Sequence, residues 1–161
     1  MKTAVRIALF AFALILDSSR LLELPIAGGI HPLMFMALSL VYALPLGAFA
    51  GGVWGFSGGL ALGFLVGNPE AGAITLGGFL GGTIPIFLRP LVFWRRWRGQ
   101  AALGFLGAAV FNLVVIAVAV MRRETGVVSI AAFVRVAADA LLTGVACPLL
   151  ALALRPMEKR D

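Results

Sequence analysis

Residues 47–67 read GAFAGGVWGFSGGLALGFLVG, and this stretch decides which solvent the chain is built for. It runs 21 positions without a charged residue, long enough as a helix to cross the roughly 30 Å hydrocarbon core of a bilayer. Its glycines, Gly47, Gly51, Gly55, Gly59, Gly63 and Gly67, recur every fourth residue. In a helix that period sets them on nearly one face. A face bare of side chains lets a second helix approach backbone to backbone, which is how helices associate in lipid, where no hydrophobic effect draws them together. Two uses are open. The face packs against the next apolar segment, where Gly77 and Gly81 with Gly78 and Gly82 offer a similar surface, or it seats a helix from a partner protein.

The rest of the chain agrees with a lipid environment. Of its 161 residues 61% are apolar and only 12% charged, with a mean hydropathy of +1.06. A soluble domain of this size would lack the polar surface to cover itself. Apolar runs broken by turn signals predict about six transmembrane helices in a single domain over residues 1–161, with spans near 3–22, 30–44, 46–66, 71–88, 101–121 and 127–154. Pro25, Pro45, Asn68-Pro69-Glu70, Pro90 and the Arg122 to Gly126 tract mark the breaks. The first span is short enough to be a secretory signal, but no small-x-small cleavage site follows it, so it reads as an uncleaved helix.

The net charge of +6 is topological information rather than a nucleic-acid signature. In the six-span arrangement one side carries Lys2, Arg6, Arg89, Arg95, Arg96, Arg98, Arg155, Lys159 and Arg160, and the other Arg20, Arg122 and Arg123. Basic residues mark the cytoplasmic side. Both termini are therefore expected in the cytoplasm of a bacterial inner membrane, with the Asp17, Glu23, Glu70 and Glu124 turns outside.

Arg135 and Asp139 are the charges placed well inside a span, four residues apart, where they can pair with each other. Charge at membrane depth is costly, so the pair is either a structural latch near the outer rim or a contact for substrate or partner. Trp94-Arg95-Arg96-Trp97-Arg98 interleaves aromatic and cationic residues next to a span and reads as an interfacial belt on anionic lipid. His31 has no companions for a metal site and reads as a capping or interfacial residue. Asn112 is expected to hydrogen-bond between helices, and the lone Cys147 to be a small core residue. No phosphate loop, catalytic carboxylate pair or serine-histidine-acid set is visible, which predicts a protein that is not an enzyme and needs no metal or cofactor.

Along the chain stand Asp17-Ser18-Ser19-Arg20-Leu21-Leu22-Glu23-Leu24-Pro25, then His31-Pro32-Leu33, Gly55-Phe56-Ser57-Gly58-Gly59-Leu60, the basic stretch from Arg89 to Arg98, and Ala140-Leu141-Leu142 through Cys147-Pro148-Leu149-Leu150. The order of these stations resembles the bacterial rod shape-determining protein MreD family over nearly the full length. Two family acids are missing here, where the chain has Leu33 and the run Gly63-Phe64-Leu65-Val66-Gly67, so roles attached to them do not transfer. The resemblance implies a non-enzymatic scaffold of the cell-elongation complex, directing lateral peptidoglycan synthesis. It implies contact with an MreC-like single-span protein, and through it with an MreB-like cytoskeleton and RodA/PBP2-type wall synthases. It also implies a fold similar to the S components of energy-coupling-factor transporters. A true S component, binding a vitamin or metal ion, is the alternative, although such a site needs converging polar groups and the outer half offers only His31, Asn68, Glu70, Arg135 and Asp139.

Overall fold

Helices dominate because apolar segments in lipid must satisfy their own backbone groups. The computed structural model describes residues 2–19, 30–67, 71–122 and 129–158. These form α1 (Lys2–Ser19), α2 (Met34–Ala43), α3 (Ala48–Val66), α4 (Ala71–Phe87), a 3-10 turn (Arg89–Leu91), α5 (Trp97–Met121) and α6 (Ile130–Glu158). The fold is all-α, and four of its helices, α3 to α6, are long and apolar enough to cross a membrane.

Consecutive helices α3, α4, α5 and α6 are neighbours, α1 lies on α2 and α3, and α2 touches all five other α-helices. The α3/α4 pair is antiparallel and in backbone contact. A methyl group added at Gly51 would lie 2.2 Å from the Gly82 carbonyl oxygen, and one at Gly55 2.0 Å from that of Gly78. Gly59 meets Ile74 and Thr75, and Gly63 meets Ala71. Gly77 and Gly81, about 100° around α4 from Gly78 and Gly82, instead face Phe111 and Gly107 of α5. Gly47 and Gly67, first and last of the period, have positive φ angles of 109° and 61° and frame α3 as its N-cap and C-cap; residues with a Cβ rarely adopt such angles.

The second predicted span differs most from expectation. The sequence predicts a helix over 30–44, and the helix occupies only 34–43. Pro32 explains the delay: it disfavours helical geometry at His31, and Leu33 follows in a non-helical conformation (φ −81°, ψ 86°). Ten residues rise about 15 Å, half the hydrocarbon thickness. Elsewhere the differences are at the ends: α5 starts at Trp97 rather than 101, and α6 extends to 158 rather than 154. Predicted positions 20–22 and 127–128 lie outside the described residues.

Short as it is, α2 is the core. Phe35, Met36, Ala37, Leu38, Ser39, Leu40, Tyr42 and Ala43 are all buried, as expected of a helix apolar on every side. Its side chains fill the hollows that glycines leave in its neighbours. The Phe35 ring lies over Gly58 of α3, Met36 reaches Gly81 of α4, and Leu40 reaches Gly107 of α5. Phe35 also packs edge-to-face on Phe111.

Candidate functional site

A half-length helix cannot present both ends to water, so its unpaired N–H and C=O groups must find acceptors and donors within the protein. The N-terminal residue Leu33 offers no side-chain cap. Two other helices do. From α1, the buried Asp17 carboxylate accepts from the N–H of Met34 (3.0 Å) and of Phe35 (2.8 Å). From α6, Thr143 Oγ1 accepts from Leu33 N–H (2.9 Å) and donates to the Asp139 carbonyl (2.7 Å), while Asp139 Oδ1 accepts from His31 N–H (2.9 Å). Pro32 has no N–H. Every N–H from His31 to Phe35 is thus accounted for.

The other end is closed by charge of the opposite sign. Arg89, in the 3-10 turn after α4, donates through Nη1 to the carbonyl of Leu44, the C-cap of α2. Acid at the N-terminus and guanidinium at the C-terminus both oppose the helix dipole. Arg89 also lies over the Trp94 ring, 5.6 Å from its centroid. Near the same end Tyr42 meets the α1 backbone at Arg6 and packs on Trp54.

Cys147 lies in the core as expected, and several other residues singled out in the sequence are placed differently. Asp139 is buried and turned toward the start of α2, where it accepts from the His31 N–H, while Arg135, one turn earlier on α6, is half-buried. The four inner glycines of α3 meet α4, so of the two uses open to that face the structure shows the internal one, and a partner helix has no access to it. His31 contributes its backbone N–H, and its Nδ1 is buried without a hydrogen-bond partner. Asn112 Nδ2, expected to bridge helices, also has none. Cys147 is fully buried.

In the Trp94 to Arg98 tract each cation covers an aromatic ring. Arg95 lies over Trp94, Arg96 over Phe93 and Arg98 over Trp97, at 5.4, 5.5 and 5.4 Å. Gly99 lets the tract fold back on α5, since a methyl group there would fall 2.3 Å from the Phe93 carbonyl oxygen.

One concavity involves the glycine-rich pair from outside. Phe49, Gly52, Val53, Phe56 and Ser57 of α3 with Phe79, Thr83 and Phe87 of α4 line a groove of about 380 Å³. Its hydroxyls are satisfied within their own helices, Ser57 on Val53 and Thr83 on Phe79. It can therefore offer shape and apolar contact but no polar handle. Among the described residues no three His, Cys, Asp or Glu side chains converge as a metal site. In comparisons with known proteins, no family model, no curated protein and no solved structure matches the chain.

Proposed function

We propose that this chain is a non-enzymatic membrane scaffold of the MreD type, a subunit of a bacterial cell-elongation complex that seats the transmembrane helix of an MreC-like partner. It sits in the inner membrane with both termini in the cytoplasm, the orientation favoured by its basic residues. The order of its sequence stations supports this reading, and the groove on the outer face of α3/α4 carries it. With the glycine face closed by α4, the partner seat lies along the outside of the same α3/α4 seam, where phenylalanines from two helices flank the floor at Gly52. Backbone contact between α3 and α4 makes that groove rigid, and a rigid groove suits close packing with an apolar helix.

The test is a detergent pull-down of the tagged chain from its native membrane, comparing wild type with Ser57→Trp and Phe56→Ala. Both side chains are exposed, so neither change disturbs the bundle interior. Recovery of an MreC-like protein and wall synthases by wild type, reduced by Ser57→Trp at equal expression, is the expected result. Recovery of a transporter ATPase with its coupling subunit would sink the scaffold reading in favour of an S component.

A further inference from the structure

Arg95, Arg96 and Arg98 are exposed, and among the described side chains no carboxylate neutralises them. Each guanidinium lies over a ring of the same tract, 5.4 or 5.5 Å from its centroid. The planar fork of guanidinium N–H donors suits phosphate oxygens. The same three arginines and Trp97 form the rim of a groove of about 860 Å³ between α5 and α6, whose α6 wall includes Val145 and Leu149.

Below the rim the surface is continuously apolar. Leu141, Val145, Leu149 and Leu152 form one stripe along α6, each 60 or 61% exposed. From Leu141 to Leu152 the stripe runs roughly 17 Å at 1.5 Å per residue, close to the depth of one leaflet. Close α5/α6 packing makes the groove's floor firm, because Gly104 meets Cys147 and Gly144 meets Ala101 and Phe105.

We propose that the groove is a specific site for one anionic diacyl phospholipid, its headgroup phosphate held by Arg95, Arg96 and Arg98 and an acyl chain lying along Val145 and Leu149. Any exposed apolar helix face touches lipid in a membrane. What sets this face apart is a leaflet-long apolar track that begins under three exposed arginines, none of them neutralised by a carboxylate among the described side chains. The site is on the α5/α6 side, built from residues other than those of the α3/α4 partner groove, and does not depend on that partner.

The experiment is native mass spectrometry of the full chain, delipidated in neutral detergent and offered equal amounts of phosphatidylglycerol and phosphatidylcholine. Wild type is expected to retain phosphatidylglycerol with a preference of about tenfold or more, since each basic residue near the surface contributes attraction to anionic lipid. R95Q/R96Q/R98Q should bring the preference close to one. Leu149→Trp, which fills the track and leaves every arginine, should reduce retention of the anionic lipid, and it decides the matter if the triple variant does not fold. Equal retention of the two lipids by wild type overturns the proposal. So does retention by Leu149→Trp equal to wild type, or displacement of the lipid by inorganic phosphate at equal concentration, which would mark an anion site without acyl recognition.

Discussion

Asp17 Oδ2 lies 2.8 Å from the backbone nitrogen of Phe35, so the last turn of α1 caps the first turn of α2. Both carboxylate oxygens are used, one on Met34 and one on Phe35. A cap normally comes from the residue just before a helix. Here it comes from another helix because Leu33 cannot supply it.

Asp17→Asn keeps the size and removes the second acceptor, turning an amide N–H₂ toward a buried N–H. The expected loss is about 1–3 kcal/mol. Cys147 is the only cysteine and is buried, so the temperature at which a thiol-reactive dye labels it in detergent reports unfolding. A melting temperature unchanged from wild type would show that Asp17 does not cap α2.

Thr143→Val preserves shape and leaves the Leu33 N–H without its acceptor. A loss of about 1–3 kcal/mol is expected, whereas Thr143→Ser should stay near wild type. Equal melting of the valine and serine variants would contradict the assignment. Combined with Asp17→Asn, the loss should depart from additivity, because both residues serve the same helix end.

Arg89→Gln removes the guanidinium from the C-cap of α2. About 1–2 kcal/mol should be lost through the unpaired Leu44 carbonyl and the helix dipole. Arg89→Lys, which retains the charge, should recover part of it. If glutamine and lysine behave alike, charge at this end is unimportant.

Gly55→Ala and Gly72→Ala make the same chemical change in opposite surroundings. At Gly55 the new methyl would lie 2.0 Å from a backbone oxygen of α4, while at Gly72 nothing lies within 4 Å. The first should cost about 3 kcal/mol or more, because backbone has to move. The second should be neutral or stabilise by up to about 1 kcal/mol, through helix propensity. Comparable melting of the two proteins would refute the α3/α4 contact.

The membrane character, the long helices and the glycine period were legible because each is written into a continuous stretch of sequence. The role of α2 was less so. Residues 30–44 fall short of the ~20 needed for a span, and Pro32 and Pro45 bracket them, yet apolar composition alone does not separate a short span from a buried half-helix. From the sequence Asp17 is a polar end of α1 at the outer interface, since nothing local indicates that its partners are the N–H groups of Met34 and Phe35. Spacing on one helix suggests Arg135 as a partner for Asp139. The N–H of His31, from which Asp139 accepts, is 108 positions away, and a backbone donor has no sequence signature. Thr143 gave no signal at all, because threonines in apolar helices usually bond their own backbone, and this one does that as well.

The distribution of the α2 caps along the chain orders its biogenesis. Asp17 is made before α2, but Arg89 follows after α4, and Asp139 and Thr143 are synthesised only with α6. Until α6 emerges, the N–H groups of His31 and Leu33 lack the acceptors they have in the finished protein. The centre of the bundle is therefore latched by residues of α6, made more than a hundred positions after the helix end they close.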